Sequence, residues 1–411
     1  MKQIQLSPSA AWAALNEEEK AEFWATLALR HTKGLGLRSA ARLLRTFGSA
    51  LQAVRNVPSW KEAGIHADKA AVFNTGSWRT TAQKEWLDAQ QADCRIILWT
   101  STHYPSRLKE IYAPPPLLYS QGDISLLNAP ILAIVGARRA SPEGRSLAAS
   151  LASEAAKSGI TIVSGMADGI DSAAHAAALC GIGRSIGVLG TGIEQEYPSR
   201  HGKLFADMRN KGLLISEFAP KQPAIPANFP VRNRIISGLS LAVLVLEAAE
   251  HSGSLITARE ALEQNRGVYV ASPQGRPCTA GSRALLDTGA RIIFSAEEII
   301  ADLAPQLSAF TQFSSASAQR QARNESSPAP QIHVMPKNID NRKQSPQLLP
   351  EGSSPLTQAI AEFIYNNDAC HADIICQQLN ISASDFNSAA IFLEMAGYIQ
   401  RLSGGRYSYR T

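Results

Sequence analysis

No stretch of this 411-residue chain is apolar over anything near the roughly 20 residues that a membrane-spanning helix needs. Met1 to Ala10 has neither the basic start nor the apolar run of a signal peptide, so a cytoplasmic protein is the default expectation. Cysteine is sparse: five residues, Cys94, Cys180, Cys278, Cys370 and Cys376, with no CxxC pair. This argues against a disulfide framework and against zinc. Cys370, His371 and Cys376 lie close in sequence, but ordinary side chains on a small helical segment explain them better than a metal does. The signatures of common enzyme sites are missing too. No G-x-G-x-x-G follows the first strand-like run, which removes the main support for a nicotinamide or flavin cofactor. No G-x-x-x-x-G-K-[ST] exists, which excludes an ordinary P-loop ATPase. Ser164, Ser252 and Ser254 have no evident histidine partner and no G-x-S-x-G elbow, which disfavours a serine hydrolase. No cofactor and no metal is expected.

What is present has the make-up of a soluble protein of two to four domains, with 45% hydrophobic residues. A net charge of +5 permits nucleic-acid binding without demonstrating it. Glu17 to Val54 is helical in pattern and is interrupted by K-G-L-G-L at Lys33 to Leu37. Such a turn can aim N–H groups at a phosphate, but a helical hairpin that only packs is the preferred reading. His103 to Asp123 is rich in proline and reads as an extended connector. Then short apolar runs alternate with helical stretches: Ile131–Val135, Thr161–Val163, Ser185–Leu189, Leu213–Ile215, Leu241–Leu246, Val268–Ala271 and Ile292–Phe294. Runs apolar on both faces belong to a covered parallel sheet, so the alternation predicts a doubly wound α/β domain with ligands at the carboxyl ends of its strands. Leu303 to Pro355 is rich in Ser, Gln, Pro and Asn and reads as a flexible linker. After it come three helical stretches and a hairpin over Tyr398 to Tyr409, the pattern of a winged-helix-like domain. The expected division is an N-terminal helical domain of the SAM or helix-hairpin-helix kind (1–105), a Rossmann-like core (106–303), a linker (304–354) and a winged-helix-like domain (355–411).

Five segments follow apolar runs and should meet on one edge of the sheet. V-G-A-R-R-A-S-P-E-G (Val135 to Gly144) contributes Gly136, Arg138 and Arg139, with Ser141 and Pro142 starting a helix whose N-terminus attracts phosphate. S-G-M-A-D-G-I-D-S-A-A-H contributes Ser164, Gly165 and Gly169. Asp171 and His175 would share a helix face there, and are read as a loop-holding carboxylate and a packed imidazole rather than a catalytic pair. G-T-G at Gly190 to Gly192 precedes Tyr197-Pro198. N-F-P-V-R-N-R, read as a cationic loop, contributes Phe229, Arg232, Asn233 and Arg234, and S-G-S-L-I-T contributes Ser252, Gly253 and Ser254. Guanidinium groups, an amide, a ring and approachable backbone suit a polyanion that carries bases.

At these residues the chain resembles the DNA-processing protein A family, also called DprA or Smf. Y-S-Q-G-D (Tyr119 to Asp123), V-G-A-R, S-G-M-A-D-G-I-D-S-A-A-H, G-T-G…Y-P, F-P-V-R-N-R-I-I-S-G-L-S and V-L-E-A…S-G-S-L-I-T-A-R-E-A carry the resemblance, which runs from Ala113 to Phe294. It implies an extended Rossmann-like core that binds single-stranded DNA without classical enzyme activity. It also implies delivery of that DNA to the RecA recombinase in natural transformation, and a homodimer; single-strand binding protein is a further expected partner. The chain departs from the family pattern at Asp168, often a cation in relatives, and at Gly267, Gln274, Arg283 and Ala284. No DNA contact is therefore carried onto Asp168.

The expected mechanism is binding without catalysis. Arg138, Arg232 and Arg234 neutralise phosphates, while Phe229 stacks on a base. Duplex is disfavoured, because Ala383 to Ala396 has no Lys or Arg and carries Asp385 and Glu394, although Arg401, Arg406 and Arg410 of the hairpin offer charge. The rival reading is a nucleotide or phosphoribosyl hydrolase using Asp171, Glu217 and Glu247, against which stands the lack of a P-G-G-x-G-T-x-x-E signature.

Overall fold

The computed structural model of the chain describes residues 8–250, 252–273, 277–307, 354–367, 370–402 and 406–409. They fall into a larger unit that includes Glu22–Gln306 and a smaller one that includes Leu307–Thr411. Among the described residues no helix is long and apolar enough to cross a membrane.

The larger unit begins with helices α1 (Ala10–Ala13), α2 (Glu17–His31), α3 (Leu37–Phe47), α4 (Ala50–Arg55), α5 (Ala67–Asn74) and α6 (Arg79–Gln91). Three glutamates open α2, where carboxylates favour the positive end of the helix dipole. Gly48 ends α3 with φ of 80°, the left-handed turn that suits glycine. An aromatic cluster fixes these helices to the sheet. Phe23 stacks on Trp86 at 5.5 Å and meets Tyr119 edge-on at 6.3 Å, and the Tyr119 hydroxyl donates to buried Glu85 (2.7 Å).

The sheet is built from β1 (Arg95–Leu98), β2 (Leu117–Gly122), β3 (Ile131–Gly136), β4 (Thr161–Ser164), β5 (Ser185–Val188), β6 (Leu213–Ser216), β7 (Ala242–Leu246), β8 (Gly267–Ala271) and β9 (Arg291–Ile292). Its order is β1-β2-β6-β5-β4-β3-β7-β8-β9. β3 to β9 run parallel, and β1 and β2 extend the β6 edge as an antiparallel pair. The crossovers are α7 (Ser106–Glu110) between β1 and β2, α8 (Pro142–Lys157), α9 (Ile170–Ala178), α10 (Gly202–Lys211), α11 (Asn228–Leu239), α12 (Gly253–Glu263) and α13 (Ala280–Asp287). A further helix, α14, covers 296–307. Six of the seven apolar runs singled out in the sequence fall on strands of this α/β sheet, and the seventh, Ile292–Phe294, meets β9 only at Ile292.

Three expectations change. His103 to Asp123 is not an extended connector, since it holds α7 and β2, a strand paired on both sides. N-F-P-V-R-N-R is not a loop but the first two turns of α11; Pro230 is tolerated there because a helix's first N–H groups need no partner within it. Helix α14 continues through residue 307, past the point where the linker was placed. The rest of that segment, 308–353, and Gln274 lie outside the described residues.

In the smaller unit, α15 (Pro355–Asn366), α16 (Ala372–Leu379) and α17 (Ala383–Met395) accompany β10 (Cys370–His371), β11 (Ile399–Leu402) and β12 (Arg406–Tyr409). The strands form an antiparallel sheet in the order β10-β12-β11. Ser354 caps α15 ahead of Pro355, and Ile360, Ile364, Ile375, Phe386, Leu393 and Ile399 make its core. This is a winged-helix arrangement.

Candidate nucleic-acid interface

Strand β3 has β4 on one side and β7 on the other. The chain leaves β3 in one direction and returns to its opposite flank, so the loops after β3 and β7 diverge and open a crevice at the carboxyl ends of the strands. A cavity of about 620 Å³ occupies that position. Gly136, Arg138 and Arg139 line it from the β3 loop; Phe229, Arg232 and Asn233 from α11; Ser252, Gly253 and Ser254 from the start of α12. Four of the five segments expected to converge on one sheet edge contribute to this lining, the S-G-M-A-D-G-I-D segment through Ala167 and Asp171, whereas Gly190 to Gly192 do not; Tyr197 and Glu247 line the same space. Ser164, Gly165, Gly169 and Arg234 lie outside its lining.

The arginines divide into two kinds. Arg138 and Arg139 reach solvent, whereas Arg232 and Arg234 do not. The Arg138 guanidinium lies 5.6 Å from the centre of the half-buried Phe229 ring, and the Tyr197 ring is centred 5.4 Å from the same ring, tilted by 48°. Arg232 instead is 3% exposed. It donates to the carbonyls of Gly165 (2.9 Å) and Val188, and its Nε donates to Asn233 Oδ1 (3.2 Å). Burial lowers its pKa to about 10 against the pull of Asp171, which leaves it charged at neutral pH. Its guanidinium is 6.0 Å from the Phe229 ring centre. Gly165 is required beneath it, because a Cβ there would stand 2.6 Å from the guanidinium.

Arg234 is 7% exposed and forms a two-pronged pair with the Glu217 carboxylate, while its Nε donates to Ala113 O (2.7 Å). Burial works against its charge, but Glu217 overcomes this and raises the pKa above the ordinary value. It is a structural ion pair tying α11 to the segments after β6 and α7, which corrects its expected role as a phosphate ligand. Ser164 is corrected likewise: it is fully buried and its hydroxyl donates to Ile134 O (2.6 Å).

The N-terminus of α8, expected to attract phosphate, holds a carboxylate of the chain itself. Glu247 accepts from the Ser141 backbone N–H (2.8 Å) and hydroxyl, while Ser141 caps the helix by accepting from Gly144 N (2.9 Å). Asp171 holds the glycine loop after β4 by accepting from Gly165 N (3.1 Å) and Ala167 N (3.4 Å). His175 is fully buried, with Nε2 accepting from Met166 N (3.3 Å) and Nδ1 against Ser185 Oγ (2.7 Å). Ser185 Oγ donates to Ile162 O (3.0 Å), so it accepts from His175, whose proton is on Nδ1. Gly169 turns with φ of 77°, and a Cβ there would meet Ala137 O at 2.2 Å. Asp168 is answered within the chain: Arg200 donates to both its oxygens and His201 Nε2 is 3.1 Å away. Glu247 was read only as one of three carboxylates supporting the hydrolase alternative; its capping role had no signal in the sequence, since Ser141 lies over a hundred residues from it.

The fold and crevice define a doubly wound α/β protein with a cationic and aromatic cleft at its topological switch point, joined to a winged-helix unit. The pattern of DNA recombination-mediator protein A matches residues 95–304, and that of the DprA winged helix domain matches residues 344–405. Protein Smf of Escherichia coli is 32% identical over 85% of this chain and 89% of its own length. DNA processing protein DprA of Bacillus subtilis is 42% identical over 50% of this chain and 69% of its own. In structure, DNA processing protein A from Streptococcus pneumoniae superposes with a TM-score of 0.59 at 29% identity, covering 70% of this chain and 98% of that one. The chain belongs to the DprA/Smf family of DNA-processing, recombination-mediator proteins.

Proposed function

We propose that the chain binds single-stranded DNA in the switch-point crevice and hands it to a recombinase. The observation that carries this reading is the solvent-facing Arg138–Arg139 pair beside the accessible rings of Phe229 and Tyr197. The arginines meet successive phosphates, and a base stacks on an aromatic face, a contact worth about 1–3 kcal/mol and indifferent to sequence. Arg232 acts from beneath, as a buried charge that ties the loop after β4 and the end of β5 to α11 and adds positive potential to the floor. Asn233 holds α11 to the start of α12 through Gly253 O (3.1 Å). Gly136 lets the chain pass close, since a Cβ there would meet Leu246 O at 2.2 Å.

Binding rather than turnover is favoured by the carboxylates. Asp171 holds a loop, Glu217 neutralises Arg234 and Glu247 caps α8. Each already has a structural task, which counts against the hydrolase reading. Family membership supports the finer reading: RecA loading on incoming DNA during natural transformation, competition with single-strand binding protein, and action as a homodimer.

The test is oligo-dT binding over a salt series. The pair Arg138→Ala and Arg139→Ala should weaken binding and flatten the slope of log K against log salt by about 0.7 for each phosphate that is no longer neutralised. An unchanged slope would overturn the site. For the finer reading, the protein should speed RecA nucleation on DNA coated by single-strand binding protein. No effect on nucleation, with nucleotide turnover that vanishes in Asp171→Asn, would favour the hydrolase instead.

A further inference from the structure

A second cavity, of about 380 Å³, opens beside α11 and is lined by Arg234. Residues two apart on a helix point about 200° apart, so α11 separates this cavity from the crevice that Arg232 lines. Arg38, from the first turn of α3, and Tyr112, just after α7, form one wall. The Arg38 guanidinium lies 4.1 Å over the Tyr112 ring, and Tyr112 remains 65% exposed. Glu260 and Gln264, four residues apart at the end of α12, share another wall with Arg266.

Several polar groups here lack the partners that buried groups normally have. Gln264 Nε2 donates to Arg234 O (3.3 Å), but its Oε1 is buried with no hydrogen-bond partner among the described residues. Arg266 donates from one terminal nitrogen to Glu110 (3.3 Å), while its Nε is buried and likewise unpartnered. Glu260 makes no ion pair among the described residues, and burial, then repulsion from Glu263, holds its carboxyl above the ordinary range. Arg38 and Arg266 face Glu110, Glu260 and Glu263, so the cavity lacks the cation surplus of a phosphate cradle.

We propose that this cavity takes one unpaired guanine base. Guanine's pairing edge presents two adjacent donors, N1–H and the 2-amino group, next to the acceptor O6. The two oxygens of Glu260 accept from N1–H and the 2-amino group, the Arg266 guanidinium supplies the donor to O6, and Tyr112 supplies a face for stacking. The buried Gln264 Oε1 and Arg266 Nε gain partners only if their side chains turn toward the base. In a duplex that edge is consumed by cytosine, so only a free nucleotide or an unpaired strand offers it. The strand arm of the test rests on the function proposed above; the nucleotide arm does not.

Affinities would be measured by titration for dGMP, dIMP and dTMP, and for oligo-dT with and without one central dG. dGMP should bind at least tenfold tighter than dTMP, with dIMP, which lacks the 2-amino group, between them. Tyr112→Ala, at an exposed position, and the isosteric Glu260→Gln should each remove that preference while leaving oligo-dT binding unchanged. A dG preference in both formats makes the site part of the DNA path; one confined to dGMP makes it a nucleotide site. If oligo-dT fails to bind but dGMP preference holds, the crevice reading falls and this one stands. Equal affinity for dGMP and dTMP, with no gain from dG in the oligomer, overturns the proposal, as does a preference that survives both substitutions.

Discussion

Arg232 and Arg234 carry equal charge two positions apart, but their neighbours set them different tasks from Arg138. Arg234→Ala would leave the buried Glu217 carboxylate unpaired and should lower stability by about 3–5 kcal/mol in urea unfolding, as broken buried pairs do. Arg138→Ala, at a solvent-facing side chain, should stay within roughly 0.5 kcal/mol of the parent while weakening DNA affinity. His175 gives a pH signature. Burial holds its pKa down to about 3, so from about pH 6.5 to about 3 the unfolded chain binds a proton that the native fold refuses. Stability should therefore fall as pH drops through that window, by up to roughly 1.4 kcal/mol per unit. Asp171, whose carboxyl burial raises against the pull of Arg232, works in the opposite direction at the acid end. Urea midpoints from pH 7 to 5 should show the decline, and His175→Gln should flatten it. At this scale the sequence was readable for chemistry but not for exposure. Tertiary neighbours distant along the chain, such as Glu217 for Arg234 and Ile134 for Ser164, decide whether a polar group faces solvent or is consumed inside.

Secondary elements were most legible where both faces are covered. β3, β4, β5, β6 and β7 are buried at nearly every position, and uninterrupted apolar runs announce such strands. β1 was hidden as a short edge strand with Arg95 exposed, and β2, although buried from Leu117 to Ser120, was hidden by Pro114 to Pro116 just before it. α11 was hidden by Pro230 and its polar first turns, although Ile235, Ile236 and Leu239 continue a buried face. The cap of α8 was legible in Ser141 and Pro142; the Glu247 carboxylate above it was not. Ser141→Ala removes both the acceptor for Gly144 N and a donor to Glu247, and should lower stability by about 0.5–2 kcal/mol in urea unfolding.

For the whole molecule, the composition change near residue 303 suggested modularity, and the larger unit holds the complete nine-stranded sheet and the crevice. A chain ended after Leu307, the last described residue of α14, should fold and bind oligo-dT within about twofold of the full chain, since its electrostatic groups are intact. Equilibrium titration of the two forms side by side measures this. If the shortened chain folds and fails to bind, the winged-helix unit carries the DNA site.

The antiparallel β1–β2 pair has a consequence for biosynthesis. Its inner neighbour, β6, pairs Tyr119 with Ser216 and Gly122 with Leu213, joining residues made far apart in time. As the ribosome delivers the chain, the N-terminal helices and this strand pair emerge first. They present an open strand edge until residue 216 clears the exit tunnel. Nascent chains halted before β6 should thus be sensitive to protease at β2 and attract chaperones that bind exposed strands, and both properties should disappear once β6 has emerged and docked.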